Sequence, residues 1–148
     1  MIGKIPTLAF AILLAGLVYP AEARNVPYRL PLQPLLDSPQ FRDSGSSDMM
    51  FLFGNTPSVP GISVISSLVV TRKARIPGKA DEIACATAMV AALRELRDHA
   101  VRQGGNAVVN VNSAFRGNIF SSATDYECHA GSHSVVITLQ ASIAKVPR

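Results

Sequence analysis

The sequence predicts an α+β fold: an antiparallel sheet of about four to five strands with one long helix packed on one face, in the order β-β-α-β-β-β. Three observations predict it. Apolar residues recur at three-to-four spacing between Asp81 and Gln103, the signature of an amphipathic helix. Several shorter stretches alternate apolar and polar residues with period two, as half-buried strands do. Pro77-Gly78, Gly104-Gly105 and Gly117-Asn118 punctuate the chain between these stretches. A helix laid on one side of an antiparallel sheet buries both patterns at once.

Taken in order, Met49 to Phe53 is a brief apolar run ended by Gly54-Asn55, Pro57, Pro60 and Gly61, a strand and then a loop. In the second strand, Ile62 to Arg75, Ile62, Val64, Leu68 and Val70 share one face and Ser63, Ser67, Thr71 and Lys73 the other. Ile65, Ser66 and Val69 fall out of this pattern. The helix follows, with Asp81 placed to cap it and Gly104 to end it in a left-handed turn. Its buried stripe is Cys85, Met89, Ala92, Leu93, Leu96 and Ala100, and Arg94, Glu95, Arg97, Asp98 and Arg102 fall outside it. Asn106 to Ser113 sets Ala107, Val109 and Val111 against Asn110 and Asn112, a strand with one wet face. Ala123 to His129 is a further strand, carrying Cys128. Val135 to Lys145 alternates most regularly of all, with Val135, Ile137, Leu139, Ala141 and Ile143 on one side.

The N-terminal quarter has a different character. Residues 1–23 read as a cleaved signal peptide: Lys4 precedes an apolar stretch from Leu8 to Val18, and Ala21-Glu22-Ala23 is a small-residue cleavage site that leaves Arg24 first. Residues 24–47 form a proline-rich arm in which Pro27, Pro31, Pro34 and Pro39 prevent a long helix. Ser38-Pro39 still suits a short helical turn through Asp43. Residues 48–148 make a single α+β domain. The expected address is the periplasm or the medium, with no transmembrane segment in the mature chain.

Loss of Lys4 and Glu22 leaves the net charge at +4, an excess that favours anionic surfaces. Two cysteines in an oxidising compartment pair by default. A Cys85–Cys128 bond closes 44 residues, which in the chain-entropy model stabilises the fold by roughly 4 kcal/mol.

Three groups of residues are candidates for chemistry. Ala130-Gly131-Ser132 suits a three-residue hairpin loop that sets His129 opposite His133, near enough to share a metal, with Asp125 or Glu127 adding a carboxylate. Arg72, Lys73, Arg75 and Lys79 form a basic cluster suited to phosphate-rich ligands. His99 beside Asp98 is an acid/base candidate. Phosphate-loop, nucleophile-elbow, H-E-x-x-H and C-x-x-C motifs are absent from the sequence, so no cofactor is expected. Phe120 and Tyr126 are too few for a base-stacking platform, and no nucleic-acid partner is expected.

Ala84-Cys85-Ala86, the run Arg102-Gln103-Gly104-Gly105-Asn106-Ala107-Val108-Val109-Asn110, and Thr124-Asp125-Tyr126-Glu127-Cys128-His129-Ala130-Gly131 resemble a group of small exported proteobacterial proteins. The resemblance covers roughly residues 48 to 146. Members commonly carry the label excinuclease ATPase subunit. That activity needs nucleotide loops and cytoplasmic DNA, and this chain has neither the loops nor the address. A more distant likeness, in the helix followed by G-x-N-A-V and a cysteine-bearing strand, is to envelope-stress sensor lipoproteins of the Rcs type. The lipid-anchor cysteine of those proteins is missing here.

Elimination leaves a non-enzymatic, envelope-associated binding or sensing module, with an anionic envelope component or an envelope protein as partner. The alternatives are weak transition-metal binding through His129 and His133, and a small secreted hydrolase or nuclease using His99 or His129 with arginines.

Overall fold

The computed structural model describes Gly3, residues 23–55 and residues 59–148. Apart from Gly3 and Ala23, the expected signal segment therefore lies outside the described residues. Among the described residues no helix is long and apolar enough to cross a membrane. The fold is α+β: the described residues form six strands in one open sheet, one long helix against it and a few short helices.

The strands are β1 (Val26–Pro31), β2 (Met50–Phe53), β3 (Ser63–Arg75), β4 (Ala107–Ser113), β5 (Asp125–Ala130) and β6 (Ser134–Lys145). The short helices α1 (Leu32–Leu36) and α2 (Pro39–Asp43) follow β1, and α3 (Asp81–Arg102) is the long one. β6 organises the sheet because it is long and alternates without interruption. One of its edges pairs along its whole length with β3. The other is shared by β5 near the start and β4 toward the end. β1 then extends β5, and β2 extends β4.

The proline-rich arm is thus partly sheet. β1 pairs antiparallel with β5 from Val26↔Ala130 to Pro31↔Asp125. An edge strand tolerates Pro27 and Pro31 because one row of its backbone groups needs no partner. At α2, Ser38 caps the helix as its sequence suggests, its side chain accepting from the Phe41 N–H with proline at the first helical position. One feature departs from a purely antiparallel sheet: β2 runs parallel to β4. The intervening β3 and α3 form a crossover long enough to return the chain in the same direction.

The inward stripe of α3 is completely covered, with Cys85, Met89, Ala92, Leu93, Leu96 and Ala100 all at 0% exposure. It meets Val135, Ile137, Leu139 and Ile143 of β6. Each such leucine or isoleucine contributes roughly 2 kcal/mol by leaving water. The Cys85–Cys128 disulfide joins α3 to β5 inside this core, with Cα atoms 5.9 Å apart. Tyr126 is buried on the same face, and its phenol is pushed up to about 12, by burial first and by Glu82 second.

Two local expectations are corrected. β4 has no wet face. Asn110 adopts a positive φ of 51° and the pairing with β6 shifts between Val109 and Asn112, a bulge that turns both Val108 and Val111 toward the helix. Ala107 and Val109 face the other way into a small second core with Ala144 and Val146, covered by Leu52 and Ile62. Asp81 does not cap α3: the N-cap is Ala80, and the Asp81 carboxylate turns toward β1. The helix end matches its sequence. Gly104 takes the left-handed φ of 75°, and a Cβ on Gly105 would lie 2.8 Å from Ile143 Cγ2 and 2.9 Å from the Ala144 carbonyl.

Candidate functional site

On the sheet face opposite α3, alternation brings side chains from separate strands into one row. Lys73 of β3 is paired with Val136 of β6, Val136 with His129 of β5, and His129 with Pro27 of β1. Lys73, Val136 and His129 of this row floor an open cleft of about 830 Å³ whose rim is built by residues 23–26 and by a tight turn at Phe115–Gly117.

The turn supplies an aromatic wall and a cation. The Phe115 ring stacks on the His129 imidazole with centroids 3.6 Å apart and planes 16° from parallel. Arg116 follows with φ 51° and ψ 35°, and its guanidinium lies 4.9 Å from the Phe115 ring centroid. A left-handed conformation costs a non-glycine residue about 1 kcal/mol, and Arg116 is exposed and gains no burial in return. His129 is fixed from two sides: Nε2 lies 2.8 Å from the Glu127 carboxylate, and Nδ1 lies 3.3 Å from the Asn25 side-chain oxygen. Glu127 is itself held through its backbone N–H, which donates to Ser113 Oγ at 3.0 Å.

The other rim is clamped by Arg24. Its guanidinium pairs with Asp81 at the start of α3 and donates to the Gly131 carbonyl at 2.6 Å. The Tyr28 hydroxyl donates to the same Asp81 carboxylate at 2.7 Å. Hydrogen bonds from Arg24 and then Tyr28 hold the Asp81 carboxyl below its ordinary range, against the opposing effect of burial. The Arg24 guanidinium and Tyr28 phenol are held above theirs, chiefly by the same bonds to Asp81. This clamp ties the arm to both α3 and the β5–β6 turn.

Among the described residues, the side chains lining the cleft include Arg24, Lys73, Arg116 and His129 and no carboxylate. Arg24 is neutralised by Asp81, but among the described residues neither Lys73 nor Arg116 takes part in an ion pair. A second groove, of about 780 Å³ over the exposed side of α3, differs in kind. Its charges are balanced, with Arg72 Nε 2.6 Å from Glu95 and Asp98 held by Arg97 at 3.1 Å.

Comparison with known proteins gives no matching family model, no matching curated protein and no matching solved structure.

The fold separates residues that the sequence groups together. Of the basic cluster, Lys73 reaches the cleft and Arg75 is exposed beyond it. Arg72, one residue out of phase, turns to the helix face and Glu95, while Lys79 lies exposed in the turn before α3. The hairpin loop is also shifted from its expected place. Ala130 pairs with Val135 and the Gly131 N–H donates to the Ser134 carbonyl, so the turn itself is Ser132-His133 and His129 stands opposite Val136. His133 is exposed within that loop. Asp125 shares the face of His129 but lies four residues along the strand, on the order of 13 Å away. Among the described residues no group of three or more His, Cys, Asp or Glu is placed to hold a metal. His99 approaches Glu95 at 4.0 Å, and its sequence neighbour Asp98 is engaged by Arg97. No sequence motif marks Phe115, Asn25 or Arg24 as site residues. The one local signal was Arg116-Gly117-Asn118, a cation on a turn.

Proposed function

We propose that the protein is a non-enzymatic binding module of the cell envelope that holds a phosphate-bearing envelope component in the cleft. The observation that carries this reading is the pair Lys73 and Arg116, two cations that, among the described residues, have no ion-pair partner and face a cleft lined by no carboxylate. The phosphate sits between them, with the stacked Phe115 and His129 rings as its wall. Strain at Arg116 supports the assignment, since left-handed backbone at a non-glycine residue concentrates at ligand-contacting turns. The disulfide and the N-terminal segment support an address outside the cytoplasm. Cleavage after Ala23 places the new α-amino group of Arg24 on the cleft rim, a third cation available to the ligand.

Titration with inorganic phosphate, and separately with phosphatidylglycerol vesicles, tests this by following amide NMR shifts of residues 115–117 and 129. Saturable, salt-sensitive shifts are expected, and either Lys73→Ala or Arg116→Ala weakens binding by about tenfold, the worth of one charge-assisted hydrogen bond. Shifts with both probes assign the site to the phosphate group itself. Shifts with vesicles alone assign it to a lipid surface. Absence of both, or binding indifferent to both substitutions, overturns the reading.

A further inference from the structure

The edge of β3 is the longest run of backbone in the sheet with a free side. Among the described residues β3 pairs only with β6, so the outward N–H and C=O groups of a 13-residue strand face solvent. Proteins blunt such edges with prolines, charges, bulges or short length. Here the bulge between Val64 and Ser66 and the cations Arg72, Lys73 and Arg75 lie at the two ends. The stretch Ser66–Thr71 between them carries no proline, glycine or charge, and Val69 at its middle is 60% exposed.

We propose that two copies of the chain join through this edge, antiparallel and in register about Val69. The charge pattern selects the occupant and its direction. A parallel mate would lay Arg72, Lys73 and Arg75 beside their own copies, a row of like charges. Antiparallel pairing about Val69 instead lays the basic end of each strand, Arg72 to Arg75, along the uncharged Ser63–Ser66 end of its mate, so the basic ends go to opposite poles. The same register sets Ser67 opposite Thr71 on the outer face. Within one chain these residues already meet hydroxyls of β6, Ser67 with Ser142 at 2.9 Å and Thr71 with Thr138 at 3.2 Å. The self-pairing therefore continues two hydroxyl rows across the junction. An isologous contact of this kind has a two-fold axis perpendicular to the sheet and closes as a dimer. It places both α3 helices on one side and both clefts on the other.

Sedimentation equilibrium and mild-oxidation cross-linking of the protein expressed from its full chain test this. A mass twofold that of one chain is expected, and Val69→Lys, which sets two lysines face to face at an exposed position, returns it to one chain. Val69→Cys alone forms a covalent dimer. Ser67→Cys does so only when mixed with Thr71→Cys, because those positions meet each other and not themselves. A single-chain mass at all concentrations overturns the proposal. So does a dimer that survives Val69→Lys, or cross-linking by Ser67→Cys alone, which would put a different register or another surface at the interface.

Discussion

The two faces of the sheet are built to different rules. Toward α3, β6 presents Val135, Ile137, Leu139 and Ile143 without a polar interruption, and the disulfide lies fully enclosed among them. Away from α3, the face is divided. Beside β4 it is a small apolar patch of Ala107, Val109, Ala144 and Val146, and beside β5 it carries Lys73, Glu127, His129 and the Phe115–Arg116 turn. The helix face concentrates the burial that opposes chain entropy. That leaves the outer face able to hold the strained Arg116, at a cost of about 1 kcal/mol, beside cations that have no ion-pair partner among the described residues.

Removing the staple tests this division most severely. Replacing Cys85 and Cys128 together by alanine is expected to lower unfolding free energy by roughly 4 kcal/mol in urea denaturation. Phosphate titration of the remaining folded fraction should be unchanged, and loss of binding in a folded variant would show that the faces are not separable.

The Arg24–Asp81–Tyr28 clamp spans both faces and has an intermediate effect. A carboxyl depressed in the folded state contributes stability that is complete above its ordinary titration range and disappears as pH falls through the folded value. Melting temperatures of the native protein should therefore fall more steeply on acidification than those of Asp81→Asn, which is less stable at neutral pH from the outset. Parallel pH profiles for the two would remove the clamp from the account.

The smallest effect on stability sharpens the comparison most. Glycine accepts φ 51° without strain, so Arg116→Gly should change unfolding free energy by under about 1 kcal/mol in the same urea assay. A marked destabilisation would assign Arg116 a structural role in place of a binding one.

How much of this was legible in the sequence follows from the range of each interaction. The α3 stripe, the Gly104-Gly105 stop, the Ser38-Pro39 cap and the alternation of β6 are written in residues within a few positions of one another, and all are present in the structure. The β4 bulge was not legible. Asn110 reads as a surface residue of an alternating strand, and only its pairing with β6 reveals the slip. The same holds for the hairpin, where His129 pairs with Val136, three positions beyond His133.

The cleft is the clearest case of both limits. Lys73 and His129 are candidates by local composition, and Arg116 lies on a visible turn, but 56 residues of sequence separate Lys73 from His129. The sequence by itself determined the α+β class, the buried helix stripe and a cysteine pair suited to a staple, because periodicity and residue chemistry are local properties. Only the tertiary structure decided which strands are neighbours, that the proline-rich arm supplies one of them, and which cations share a face. Strand order and register depend on pairing between distant segments, and a shift of one residue sends a side chain to the opposite side of the sheet.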